Sequence, residues 1–419
     1  MNQTHTHITR KLKLAIVVPE MLPVPPTQGG AVEHWVHEVS KRLNQELFEI
    51  TIVSRPSSNL LKQAIPSIEY VGIPWTSLER FFYKMKVGLS WRNPLRYLAK
   101  IQNVFSYGWR MAKLVKYADL IIVHNEPNLL FFINKGTHQK IYLHMHNEHL
   151  SLQLLRKFYR KTLNKVEAIF CVSDYIRQVA VQYFPEHRNK FSVIFNATDA
   201  NTFKSYGKKA HSELRQVIKI IPDNVYLLYV GRLTAQKGVH VLISAFLKAQ
   251  QRQPNLRLVI AGSSFFEGAI KTHYEQSLVR LAQPVSEFIL FTGFLSHEKL
   301  KYLYSAVDIV VVPSIWQDPC PLVVLEAMAS AKAVIATRVG GVPEVLTHAE
   351  NGFLLQPDNV SALSDAICTL GGNPDLRAKI GIAARNKIGL YYQWDRLVQE
   401  LESDLIKNNI SDINSQELA

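Results

Sequence analysis

Two acids eight residues apart, Asp318 and Glu326, stand in the segment 313–329, which reads PSIWQDPCPLVVLEAMA. The apolar run Ile309-Val310-Val311-Val312 before it predicts a buried strand. Asp318, Pro319, Cys320 and Pro321 then make a loop, and 322–329, free of Gly and Pro, predicts a helix. Strand, loop and helix in that order leave the helix amides and its positive dipole end facing outward, where they hold an anion. Two carboxylates there would repel a phosphate that they touched. They suit sugar hydroxyls flanking a diphosphate held by the amides. Taken locally, the same residues read equally as an N-capping Asp and a solvated helical Glu.

A second set of groups is cationic. The stretch 226–230 predicts a strand, followed by Gly231-Arg232-Leu233, then Lys237-Gly238, then a helix over 239–250. A guanidinium and an ammonium beside a helix N-terminus hold a diphosphate strongly, although either cation alone is ordinarily solvated surface. Near the amino end, the strand 13–19 and a proline-containing loop lead to Gly29-Gly30 and a helix over 31–43 with Val32, Trp35, Val36, Val39 and Leu43 apolar. That is a phosphate-binding arrangement in outline. Two glycines by themselves read as well as a tight turn. Finally, His144 and His146 share one face of the alternating strand 140–146, and His146 stands at its C-terminal end, where open α/β sheets place their sites. A metal pair is conceivable there, but no third ligand is evident in the sequence, and no metal site is expected.

The elements that must position these groups alternate between strands and helices in two blocks. The chain has 419 residues, 47% hydrophobic and 20% charged, enough for two domains with sizeable cores. No apolar run reaches the roughly eighteen residues of a membrane span. The amino-terminal stretch MNQTHTHITRKLK lacks an apolar signal core, so a cytosolic location is expected. Cys171, Cys320 and Cys368 are scattered without zinc or disulfide spacing, which suits a reducing compartment.

Charge separates the two halves. Residues 1–200 hold 26 Lys+Arg against 14 Asp+Glu, and residues 201–419 hold 22 against 20, so nearly all of the net +14 lies in the first half. A basic half implies an anionic partner. The run 80–116 carries nine Lys/Arg and no acid, interleaved with Phe81, Phe82, Tyr83, Trp91, Tyr97, Phe105, Tyr107 and Trp109. This composition suits a helix lying on an anionic bilayer. It suits equally a helix pair packing its aromatics into the core. No RNA-binding signature accompanies it, and no nucleic-acid partner is expected.

The segment 313–329 resembles the acid-x7-acid motif of glycosyltransferase family 4, retaining transferases with the GT-B fold. There the first acid is usually Glu followed by Phe-Gly, whereas here Asp318 is followed by Pro319-Cys320-Pro321. Gly231-Arg232 with Lys237-Gly238 resembles the same family's cationic loop, and Asn196-Ala197-Thr198-Asp199 its Asn-Gly-x-Asp hinge. His146-Asn147 is similar to the family's His-Asp strand end. The strings GGAVEHWVHEVSKRL and LHMHN are similar to lipopolysaccharide core N-acetylglucosaminyltransferases.

The resemblance implies two Rossmann-like α/β domains facing across a cleft. The first spans 1–203, a linker 204–223, the second 224–393, and a C-terminal helix over 394–410 packs back on the first. It implies a retaining transferase moving a sugar, N-acetylglucosamine from UDP-GlcNAc foremost, to a lipopolysaccharide core or similar membrane glycolipid. Glucose or galactose donors are alternatives, as are a sugar-nucleotide epimerase and a non-catalytic sugar-nucleotide binder. His146 and Asp318 are expected to orient the sugar. Gly29, Gly30, Arg232, Lys237, Cys320, Pro321, Leu322 and Glu326 are expected to bind the donor. No metal or other cofactor is required, and the protein is expected on the cytoplasmic face of the inner membrane, held by its anionic surface.

Overall fold

The computed structural model describes residues 10–27, 30–88, 94–214, 217–263 and 272–407, with the side chains of 85–88, 94, 96 and 97 excepted. The chain divides into two units, residues 1–194 with 398–419, and 195–397.

The first unit is built on strands β1 (Leu12–Val17), β2 (Phe48–Ser54), β3 (Ile68–Gly72), β4 (Leu120–His124), β5 (Lys140–Met145), β6 (Val166–Cys171) and β7 (Phe191–Val193). They form one parallel sheet in the order β3-β2-β1-β4-β5-β6-β7. Parallel strands connected by helices are covered on both faces and read as continuous apolar runs. β4, Leu-Ile-Ile-Val-His, is buried at every position. The order reverses between β1 and β4, and ligands of such sheets bind beyond the carboxyl ends of the strands at that reversal. The loop carrying Gly30 follows β1 and leads into the helix Ala31–Arg42.

The second unit contains β8 (Val225–Val230), β9 (Leu256–Ala261), β10 (Ile289–Gly293), β11 (Ile309–Val312), β12 (Ala333–Thr337) and β13 (Phe353–Leu355). Its parallel order is β10-β9-β8-β11-β12-β13, the Rossmann order, with the reversal between β8 and β11. The cationic loop follows β8 and the acidic segment follows β11. Both expected donor-binding stretches therefore flank one crevice position of one sheet. β11 is buried throughout, and each such aliphatic side chain contributes about 1.5–3 kcal/mol relative to exposure.

Three boundaries differ from expectation. The chain changes unit between Ile194 and Phe195, not at 203, because the hinge segment bonds within the second unit. Thr198 N–H donates to Tyr392 O at 2.9 Å, and the Arg385 guanidinium donates to Ala200 O and Phe203 O at 3.0 Å each. The stretch 204–223 is no free linker. It contains the helix Lys208–Glu213, and Ala210, Leu214 and Ile218 are buried. At the other end the helix Trp394–Lys407 carries the chain into the first unit from Val398, where Asn44 N–H donates to Glu402 Oε1 at 2.6 Å. The expected last turn, 408–410, and the first nine residues of the amino-terminal stretch lie outside the described residues.

The described part of the run 80–116 divides its apolar side chains between a buried and an exposed face. In the helix Pro94–Leu114, Ala99, Val104, Tyr107 and Met111 face the core. Leu98, Ile101, Phe105 and Trp109 are all more than half exposed. Spacings of three and four place the second set in a single outward stripe. Lys113 Nζ lies 3.5 Å above the Trp109 ring.

Candidate active site

In the second unit the two loops at the sheet reversal are fastened directly to each other. Ile315 N–H donates to Gln236 O at 2.9 Å. Gly238 has φ +69, and a Cβ there would lie 1.9 Å from Pro313 O, so only glycine lets the loop after β8 sit this close to the loop after β11. The result brings Lys237 Nζ to 2.5 Å from Asp318 Oδ2, with Ser314 Oγ donating to the same oxygen at 3.3 Å. The ammonium also lies 5.4 Å from the centre of the Trp316 ring. Asp318 is buried. Its backbone is fixed from the other side, where Gly341 N–H donates to Asp318 O at 3.0 Å.

Asp318 does not cap the following helix. The N-cap of Leu322–Ala329 is Pro321, without a side-chain cap bond, and the Asp318 carboxylate is turned to Lys237 instead. Pro321 has no N–H to offer an anion. Its carbonyl accepts from Val324 N–H at 3.1 Å, and the amides of Leu322 and Val323 open the helix. Cys320 holds its loop by the backbone, since Asn196 Nδ2 donates to Cys320 O at 3.2 Å. Burial pushes its thiol up to about 12, so it stays protonated.

The helix Leu322–Ala329 is apolar around most of its circumference and correspondingly buried. Glu326 is the exception. Its Oε2 accepts from the Tyr304 hydroxyl at 2.8 Å, and both side chains are buried. Burial raises the Tyr304 phenol well above its ordinary value, which keeps it a donor. Arg232 behaves differently from Lys237. Its side chain is exposed and forms no ion pair among the described residues, while Tyr229 OH donates to its carbonyl at 2.8 Å. The expected pair of cations is thus one exposed guanidinium and one ammonium matched to a carboxylate.

In the first unit, His146 follows β5. Its N–H donates to Asn125 Oδ1 at 3.1 Å, and Asn125 N–H donates to His144 O at 2.7 Å. The β4–β5 register sets His124 directly beside His144. His124 Nδ1 and His146 Nε2 are 3.2 Å apart and share a hydrogen bond. Nitrogens of all three imidazoles lie within 4.8 Å of one another, a geometry able to hold a cation. The Trp35 ring packs edge-on against His144 at 4.5 Å and His146 at 5.7 Å. Burial pushes His146 down to about 3 and holds His124 and His144 well below the usual value, so the three are neutral. Gly30 begins the helix Ala31–Arg42, and a Cβ there would meet Glu33 Oε2 at 2.3 Å. Burial raises the Glu33 carboxyl to about 7. Gly29 lies outside the described residues.

The two units carry separate family signatures. Residues 29–202 match the family described as Glycosyltransferase Family 4, and residues 211–387 that described as Glycosyl transferases group 1. Together the two matches make the chain a glycosyltransferase. This glycosyltransferase is 26% identical over 406 residues to spore coat protein SA of Bacillus subtilis, covering 95% of this chain and 100% of that one. It is 25% identical to the lipopolysaccharide 1,2-N-acetylglucosaminetransferase of Salmonella typhimurium, covering 94% and 98%. Its fold, GT-B with two Rossmann-like units, matches the crystal structure of Anabaena HepE in complex with UDP-glucose. The TM-score is 0.72 at 19% identity, with 94% of this chain and 99% of that one covered.

Within the second unit of the glycosyltransferase, then, Lys237 and Asp318 come into contact, and Glu326 stands one helical turn beyond Leu322. Sequence reasoning missed Tyr304, Ser314 and Trp316 as partners of the acids and of Lys237. Ser314 and Trp316 were readable within the motif segment itself. Tyr304 sits on the separate helix His297–Ala306, and no local spacing points to it. His124 joins the imidazoles only through the β4–β5 register.

Proposed function

We propose that this glycosyltransferase moves N-acetylglucosamine from UDP-GlcNAc, with retained anomeric configuration, to a hydroxyl of a lipopolysaccharide core or similar membrane glycolipid. The observation that carries the donor half of this reading is the Lys237–Asp318 contact at the reversal of the second sheet. The acceptor half is supported by the likeness, along 94% of the chain, to a lipopolysaccharide N-acetylglucosaminetransferase.

The barrier in such a transfer is departure of a dianionic diphosphate from an oxocarbenium-like carbon. Arg232, Lys237 and the amides of Leu322 and Val323 supply preorganised positive charge for the leaving group. An arriving diphosphate exchanges with Asp318 as the partner of Lys237, and the freed carboxylate accepts from a sugar hydroxyl. Glu326 keeps one oxygen on Tyr304 and offers the other to a ribose hydroxyl. His146, a neutral imidazole, orients the sugar, and the leaving phosphate takes the acceptor proton. With cations and amides in these roles no metal is needed for transfer.

The outward stripe Leu98, Ile101, Phe105 and Trp109, with Lys84 exposed on the preceding helix Ser77–Gly88 and Lys113 and Lys116 exposed at and just past the C-terminal end of the stripe's own helix, is the surface that rests on the anionic cytoplasmic face of the inner membrane. No described helix is long and apolar enough to cross a membrane.

The test is a panel of labelled sugar nucleotides offered with and without lipopolysaccharide core glycolipid. Acceptor-dependent UDP release and label in lipid are expected with UDP-GlcNAc. Label that remains free, whether epimerised or merely bound, defeats the reading.

A further inference from the structure

We propose that His124, His144 and His146 form a binding site for one divalent transition-metal ion of the imidazole-preferring class, Zn2+ foremost, completed by water or hydroxide. The backbone brings the three together. His124 and His144 are partners in the parallel β4–β5 ladder, and His146 lies two residues past His144 on the same face. Three imidazoles therefore converge at the carboxyl end of two adjacent strands, under the Trp35 ring.

Two observations point to a ligand. First, two of the nitrogens already stand at the spacing of ligands on one ion, and the third is close by. Two nitrogens at ordinary Zn–N distances on a tetrahedral ion stand about 3.3 Å apart, and His124 Nδ1 and His146 Nε2 are 3.2 Å apart. All three residues offer a nitrogen within 4.8 Å of the others. Second, the hydrogen bonding of the cluster is incomplete. His124 Nε2 and both ring nitrogens of His144 are buried without a partner. Buried polar groups are ordinarily satisfied, and a set left unsatisfied calls for an ion or a water.

The chemistry of the donors selects the ion. Three neutral imidazoles without a thiolate suit Zn2+, Co2+, Ni2+ or Cu2+ and disfavour Mg2+ and Ca2+, which require oxygen ligands. Three histidines also leave a tetrahedral ion one open position. A hydroxide there offsets part of the buried charge, and His146, the most accessible of the three, marks the open side.

The test uses the full chain after dialysis against chelator, with Co2+ and then Zn2+ as probes. One Co2+ per chain is expected, with the visible absorption of a tetrahedral ion, displaced by Zn2+. His124→Phe and His146→Ala should each weaken binding by roughly tenfold or more, with circular dichroism showing retained structure. If His124→Phe fails to fold, His146→Ala at the more accessible position decides. Sub-stoichiometric Co2+, an octahedral spectrum, or unchanged affinity in folded His146→Ala overturns the proposal.

Discussion

Lys237 and Asp318 are 81 residues apart in sequence and 2.5 Å apart in space, joined across two loops of one sheet. Each is the other's counter-charge, and both are largely withdrawn from water. Breaking such a pair by removing one partner leaves the other uncompensated, at a cost of about 3–5 kcal/mol where burial is complete and less here. Stability and turnover therefore separate experimentally. Lys237→Ala should lower stability, and the Lys237→Ala/Asp318→Ala double variant should regain part of it, while both lack transfer activity. A double variant as unstable as the sum of the singles would show that the two do not interact in solution.

Asp318 can be tested alone. Under the proposed sugar contact, Asp318→Ala removes a carboxylate from a sugar hydroxyl in the transition state and should cost about 2–4 kcal/mol, or roughly 30- to 1000-fold in rate. Asp318→Asn should lose nearly as much, because the charged acceptor becomes a neutral one. The measurement is the transfer rate at a temperature where each variant is folded. A near-parental rate for Asn would leave Glu326 as the only acid of the pair with a part in turnover.

Tyr304→Phe deletes one hydroxyl and leaves Glu326 Oε2 without its donor. About 1–3 kcal/mol of stability should be lost. Under the proposed ribose contact, the KM for the donor should also rise more than kcat falls. Steady-state kinetics at saturating acceptor read this directly, and an unchanged donor KM would separate Glu326 from the ribose.

The Glu33 carboxyl has a pKa near 7 in the folded chain against an ordinary 4.5, chiefly through burial. Between those values the folded state keeps a proton that the unfolded state has lost. Its contribution is therefore fully present below pH 4.5 and is lost as pH rises through 7, by about 3 kcal/mol in all. Glu33→Gln, which stays neutral, should match the parent at pH 5 and exceed its stability at pH 8. Urea unfolding at the two values checks this, and an equal difference at both would place Glu33 outside the titrating set.

Transfer should not fall when excess chelator is added. Added Zn2+ should slow it, because an ion on His124, His144 and His146 would withdraw His146 from the role proposed for it in orienting the sugar. A rate that collapses with chelator and returns with manganese would contradict the metal-free chemistry.

Replacing Lys84, Lys113 and Lys116 with Gln should weaken binding to anionic vesicles by roughly 1 kcal/mol per charge. Trp109→Ala should weaken it further, while transfer to a short soluble acceptor persists. Equal vesicle partitioning of parent and variants at low salt would remove the membrane from the role of this stripe.

Much of this was legible in the sequence, for a physical reason. Buried parallel strands are continuous apolar runs, and loops at a sheet reversal carry the glycines and charges that ligands require, so the stretches after β8 and β11 stood out. Relations set by strand order were not legible. His124 became a neighbour of His144 only through the β4–β5 register, and Tyr304 reaches Glu326 from another helix. The polar composition of 204–223 concealed Ala210, Leu214 and Ile218, whose burial decides that segment. In 80–116 two periodic stripes overlap, and composition alone could not apportion the aromatics between them.

Gly238 admits the carbonyl of Pro313, and Gly340, at φ +51, admits that of Asp318, where a Cβ would come within 2.0 Å. The loops after β8, β11 and β12 are consequently one keyed assembly. Swapping a single loop between homologues to change donor preference would bring together surfaces that never evolved to mate. Laboratory recombination of specificity in this enzyme should succeed only when crossovers carry all three loops as a block.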